Sequence, residues 1–118
     1  MEKNKRRLGS EYEDIAVCFL EEKGYNIICR NFYCKFGEID IVAENKGYIV
    51  FVEVKYRKNE KFGLPQDAVS FLKQKRIINS SKYYCMTKHV GLNRPIRYDI
   101  VAVLGENIQV IENAFEAF

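Results

Sequence analysis

Apolar and polar positions along this chain follow two different periods. Where one period gives way to the other, they outline a helix, three strands, a second helix and two closing strands. From about residue 10 to 23, Tyr12, Ala16, Phe19, Leu20 and Lys23 recur at helical spacing, with Ile15 beside them. Ser10 and Glu13 fit an S-x-x-E capping box at the start of that helix, and Gly24 is a natural stop. Residues 25–32 and 36–44 are rich in strand formers, and Asn45, Lys46 and Gly47 supply a turn. Residues 48–56 form the most apolar stretch, with apolar side chains on both faces at its start, so this strand is expected to be central. A polar loop with Gly63 follows, and Pro65 suits the first turn of a helical segment. The second long helix is expected over residues 71–86 with Ser70 as its cap, followed by a loop to Pro95. Residues 96–104 and 107–113 read as a hairpin around Gly105-Glu106, and Ala114, Phe115 and Phe118 are expected to pack on the core.

This order predicts one α/β domain over residues 1–118, with a mixed central sheet of about five strands flanked by helices. Residues 1–8 read as a basic, mobile tail. Charged residues make up 30% of the chain and hydrophobic ones 47%, which fits a folded chain and not a disordered one. Glu and Lys interrupt every apolar run, so no membrane span is expected. No apolar core of a signal peptide follows the basic start, which makes the cytoplasm the expected compartment. The net charge of +3 permits a nucleic-acid partner without demanding one. Lys3, Lys5, Arg6 and Arg7, and later Lys73, Lys75, Arg76 and Lys82, read either as solvated faces or as phosphate contacts. The four cysteines form no CxxC pair and His89 is the single histidine, so neither a zinc site nor a His-based nucleophile is supported.

The chemistry concentrates in Gly37-Glu38-Ile39-Asp40 and Phe51-Val52-Glu53-Val54-Lys55. Alternation puts Glu53 and Lys55 on the face of Ile49 and Phe51, and Glu38 and Asp40 on the face of Val42. A two-residue turn at Lys46-Gly47 would place Asp40 opposite Glu53, with Cβ atoms about 5 Å apart. A turn at Asn45-Lys46 would instead oppose Glu38 and Glu53. Carboxylates near a core cost several kcal/mol each, by order of magnitude, unless a cation compensates. Lys55 offsets one, and a hard divalent cation such as Mg²⁺ would offset more. Asp40, Glu53 and the backbone carbonyl of Val54 are the candidate metal ligands, with Lys55 beside the nucleophilic water. Glu13, one turn into the first helix, either completes that cluster through a water or serves only the capping box. The alternative for Asp40, Glu53 and Lys55 is a structural ion pair with a spare acid.

The pattern D-x(12)-E-x-K on consecutive strands resembles the PD-(D/E)xK nuclease superfamily. Its context is more specific. Leu8-Gly9, Glu13 to Ala16, Leu20 to Tyr25, Asn31, Gly37 to Asp40, Phe51 to Arg57, Phe62-Gly63, Ala68-Val69, Lys73, Arg97 to Asp99 and Glu112 to Phe115 are similar to the YraN-like family of bacterial predicted endonucleases. That family is in turn distantly similar to archaeal Holliday junction resolvases. The resemblance implies a restriction-endonuclease-like fold. It implies catalytic roles for Glu13, Asp40, Glu53 and Lys55, an Mg²⁺ or Mn²⁺ cofactor, and a homodimer suited to two symmetric cuts. Glu38 and Arg57 match family positions without a clear role, and Tyr12 stands where the family commonly has Gly.

The expected function is thus metal-dependent hydrolysis of phosphodiesters in DNA, branched or otherwise structured. Arg57, Lys73, Lys75 and Arg76 would contact phosphates, giving salt-sensitive binding with little base readout. The alternatives are a catalytically silent nucleic-acid-binding or partner-binding module, and a nuclease acting on RNA. DNA is favoured over RNA because the aromatic pattern of single-strand RNA readers is missing.

Overall fold

The computed structural model describes residues 2–90 and 93–117, with the backbone alone for residues 2–8. Helix α1 spans Glu2–Glu22 and strand β1 Asn26–Cys34. Strands β2 and β3 cover Gly37–Asn45 and Tyr48–Arg57, and helix α2 covers Phe71–Thr87. The chain closes with β4, Ile96–Leu104, and β5, Asn107–Phe115. Two short 3-10 turns, Glu60–Phe62 and Pro65–Ala68, lie between β3 and α2. The five strands lie in sequence order in one sheet, antiparallel except that β3 runs parallel to β4. This is the mixed α/β sheet flanked by helices that the pattern predicts, and β3 is its central strand. Among the described residues no helix is long and apolar enough to cross a membrane.

The central strand is buried on both faces because each face meets a different helix. Ile49 and Phe51 join Ile77, Ile78 and Tyr84 of α2 in one apolar cluster. Val50 and Val52 join Ala16 and Leu20 of α1 in the other. Two-residue loops set the register. Lys46 and Gly47 both have positive φ, 52° and 85°, as a type I′ hairpin requires. The turn is therefore Lys46-Gly47, the first of the two registers considered.

The first helix differs from expectation. It begins at Glu2, well ahead of Ser10, so Ser10 lies inside the helix and caps nothing. Residues 2–8 include Glu, Lys, Arg and Leu, which are good helix formers, and extending an existing helix adds one bond per residue fixed. Gly9 costs about 1 kcal/mol in such a position, too little to end the helix. The side chains of Lys3, Lys5, Arg6 and Arg7 lie outside the described residues, as does Phe118.

Ser70 does cap α2, its hydroxyl accepting the Lys73 amide at 3.1 Å. Replacing it with Ala should cost about 1 kcal/mol. Urea denaturation should show this as a lower midpoint at unchanged slope.

Candidate active site

The β2–β3 ladder runs from Asn45 opposite Tyr48 to Ile41 opposite Val52, and there it ends. Beyond that pair the strands part, level with an irregularity on β1. Asn31, which would face Asp40 in the β1–β2 register, has φ 55° and leaves the ladder. Its amide donates instead to Glu13 Oε1 at 2.9 Å. Side-chain alternation shifts at this irregularity. Ile39 and Val42 both enter the α2-side cluster, although they are an odd number of residues apart. Glu38 and Asp40 therefore do not simply share the face of Val42, as expected; they come round to within reach of Glu13 on α1.

Three carboxylates meet there. Oxygens of Glu13, Glu38 and Asp40 all lie within 4.8 Å of one another. Arg30 of β1 pins this end of α1, with Nε 3.1 Å from Glu13 and one terminal nitrogen 2.6 Å from Asp14. Glu13 thus serves the cluster and not a cap. Asp40 closes the fork, its Oδ2 accepting the Val54 amide at 2.8 Å. A strand residue points its N–H and C=O to the same side, so the Val54 carbonyl also faces the gap β2 has left.

Glu53 is 5% exposed and lies against the Asp40 carboxylate. Lys73 Nζ approaches its Oε2 to 3.7 Å from the α2 side, yet that buried oxygen has no hydrogen-bond partner. Glu13, Glu38, Asp40 and Glu53 line an open cleft of about 1060 Å³, which Lys55, Arg57, Tyr12, Tyr33 and Tyr56 also line.

Crowded carboxylates in a half-dry site hold protons. Burial, then the Asp40 charge, pushes the Glu53 carboxyl up to about 8, against the pull of Lys73 and Lys55. Glu38 is raised by burial, Asp40 and Glu13. Glu13 is raised by burial, while its hydrogen bond from Arg30 pulls it down. All three shifts have the same sign, which is the mark of a site short of positive charge.

A hard divalent cation fits this shortage. The donors are all oxygens, and Glu53 Oε2 is a buried acceptor without a donor. Oxygens around Mg²⁺ at about 2.1 Å lie at most about 4.2 Å apart. The observed spread of up to 4.8 Å needs only a small adjustment of the side chains.

Of the residues singled out from sequence, Glu13, Asp40, Glu53, Val54, Lys55 and Arg57 line one cleft. Lys73 sits against Glu53. Lys75 and Arg76 are exposed on α2 and are not among the cleft-lining residues. Glu38, which sequence left without a role, belongs to the carboxylate cluster. Arg30 and Asn31 hold Glu13, and no spacing rule links positions so far apart in the chain.

A second polar network lies on the α1 side, buried under the sheet's other end. Asp99 is fully buried and accepts from Arg97 at 2.9 and 2.8 Å, the Tyr25 hydroxyl at 2.6 Å and the Asn113 amide at 3.0 Å. Arg97 also donates to Asn45 at 2.8 Å and lies over the rings of Tyr25 and Tyr48. This is a satisfied structural network.

A family model described as "Uncharacterised protein family UPF0102" matches residues 12–103. A "UPF0102 protein" of Lachnoclostridium phytofermentans is 47% identical over 115 residues, covering 98% of each chain. One of Syntrophus aciditrophicus is 46% identical, covering 93% of this chain and 89% of its own. Another, of Clostridioides difficile, is 44% identical, covering 95% of this chain and 99% of its own.

Proposed function

The chain belongs to the uncharacterised protein family UPF0102, and we propose that it is a divalent-metal-dependent endonuclease acting on DNA, akin to PD-(D/E)xK nucleases and more distantly to archaeal Holliday junction resolvases. One observation carries this reading. A buried glutamate with an unpartnered oxygen, Glu53, lies against Asp40 in an open cleft that Lys55 also lines. A purely structural ion pair would bring Lys73 closer than 3.7 Å and give that acceptor a hydrogen bond, since burying it without one costs about 1–3 kcal/mol or more.

Glu13, Glu38 and Asp40 would hold Mg²⁺ or Mn²⁺, with Glu53 and the Val54 carbonyl as further ligands. When bound, the ion would supply charge neutralisation at the phosphate and lower the pKa of water. Lys55 places a positive charge beside the attacking water, favouring its deprotonated form. As the water oxygen joins phosphorus, the bond to the leaving oxygen breaks, and that oxygen takes a proton. Arg57 at the rim offers donors to a phosphate. Asp40 spans the parted strands by accepting the Val54 amide, which fixes their separation so that the cleft is formed before substrate arrives.

Purified protein incubated with labelled linear, flapped and four-way-junction DNA tests the proposal. Cleavage should require Mg²⁺ or Mn²⁺ and stop with chelator. Lys55→Ala should slow it by roughly 10²- to 10⁴-fold, the usual range for a positioned acid–base or charge-stabilising group. Binding without cleavage, equal in wild type and variant, would leave the silent binding module as the better account.

A further inference from the structure

The cleft has an excess of acid for a nucleic-acid site. Glu13, Glu38, Asp40 and Glu53 line it, against Lys55 and Arg57. Even with a divalent ion in place, phosphate attraction from these walls is weak, because affinity of that kind grows with the number of Lys and Arg contacts. The cleft also presents aromatic surface. Tyr33 of β1 is 69% exposed at its edge, although burying such a ring would be favourable. Tyr12 of α1 and Tyr56 of β3 enter the same cleft as a stacked pair, with centroids 3.9 Å apart and planes 15° off parallel. Two of these rings flank the carboxylate cluster along the chain as well as in space, since Tyr12 adjoins Glu13 and Tyr33 faces Glu38 across the β1–β2 ladder.

We infer that these tyrosines stack on unpaired bases next to the scissile phosphate, so that the substrate is DNA with single-stranded or unpaired nucleotides at the cut and not intact duplex. This rests on the nuclease reading for the cut, but the binding it predicts does not. In intact duplex the base faces are covered by their neighbours. An unpaired nucleotide presents a free face, and each base–aromatic stack strengthens binding in a way that is tolerant of sequence. A cleft of about 1060 Å³ has room for more than one base. Tyr12, which stands where a Gly would leave the helix bare, then extends the stacking surface and does not merely crowd the site.

The test is binding, with Ca²⁺ or chelator present so that no cleavage is needed. The probes are duplex DNA, single-stranded DNA and duplex with an unpaired bulge, each carrying one 2-aminopurine, which is paired in the first and unpaired in the other two. Wild type should bind the unpaired probes more tightly than duplex and quench 2-aminopurine. Tyr33→Ala should weaken unpaired binding about tenfold or more and relieve the quenching, leaving duplex binding unchanged. Tyr33→Phe should restore both, because the ring and not the hydroxyl does the stacking. Equal binding by wild type and Tyr33→Ala, or an equal loss on duplex and unpaired probes, would overturn the inference even if the protein cuts DNA. Tyr33-dependent quenching would uphold it even if no cleavage is found, and the nuclease reading alone would then fall. Tyr33 is exposed, so both variants should fold, and a thermal melt of each checks that.

Discussion

Glu53→Gln should stabilise the protein above pH 8 while abolishing metal-dependent cleavage. The folded state pushes the Glu53 carboxyl up to about 8 from its ordinary 4.5, through burial and the Asp40 charge. A carboxyl raised in this way binds its proton more tightly folded than unfolded. Its contribution is fully present below pH 4.5 and is lost as pH rises from there to about 8. Glu13 and Glu38 are raised as well and add to the same slope. Metal-free protein should therefore lose stability steadily from about pH 5 to pH 8. The Glu53 part alone is on the order of a few kcal/mol. Gln keeps the shape and can donate to Asp40 as the neutral acid does, but it carries no charge at any pH. The variant should match wild type near pH 4 and exceed it at pH 9.

Added Mg²⁺ or Mn²⁺ should reverse the order. The ion stabilises whichever form binds it, and binding displaces the Glu53 proton. Wild type should gain melting temperature at pH 8 with millimolar metal, while the Gln variant should gain much less. Metal affinity should also rise with pH up to about 8, where the carboxyl has ionised. Melting curves over pH 4–9, with and without metal, decide the matter. Wild-type stability that climbs from pH 5 to 8 without metal would show that the carboxylates are already compensated, and the proposed cation site would lose its reason.

Asp99→Ala should be the most damaging single change to the fold. Asp99 is fully buried and takes donors from three elements: Arg97 on its own strand, Tyr25 before β1 and Asn113 on β5. Removing it leaves the Arg97 guanidinium buried with Asn45, the Tyr25 hydroxyl and two ring faces as its company. Breaking a buried pair from one side costs about 3–5 kcal/mol, against a total of about 5–15 kcal/mol for a domain. Urea denaturation should find the variant unfolded or barely folded at 37 °C. The double variant Arg97→Met with Asp99→Leu should recover much of that loss, because the orphan charge goes with its partner. A cost under about 1 kcal/mol for Asp99→Ala would mean that water reaches the network. This network, and not the catalytic-type cluster, is what ties the closing hairpin to the hairpin of β2 and β3. Arg97 and Asp99 therefore belong to stability, although their sequence motif gave no hint of which role they had.

Local rules carried the sequence reading a long way. The period of two through residues 48–56 and the apolar character of both faces identified β3 as the central strand. Residues 45–47 narrowed the hairpin turn to two placements, and the structure takes Lys46-Gly47, whose register points Asp40 toward Glu53 just past the last paired residues. Ser70 marked the start of α2 and so placed Lys73 on its first turn. Each of these depends on a few neighbouring residues, because strand alternation, turn dihedrals and helix caps are settled within one window of chain. The same rules misplaced the start of α1. Ser10 and Glu13 make a valid capping box in isolation, but a box is used only where the chain before it leaves the helix, and here it does not.

What the sequence by itself determined was the order of elements, the mixed sheet and the strands that bear the acids. What only the tertiary structure decided was which acids meet. Strict alternation would keep Glu38 and Asp40 on one side of the sheet and leave Glu13 to its cap. At the level of the left-handed Asn31 that alternation breaks, the β2–β3 ladder ends after Ile41, and both carboxylates meet Glu13 of α1. The fold also gathers Arg30, Lys73 and three tyrosines, from both helices and from β1 and β3, around the fork. The physical reason is the range of the forces. Backbone period and turn chemistry act over a few residues, whereas the meeting of positions 13, 38, 40 and 53 depends on a kink in one strand, a gap in the next and a helix packed across both.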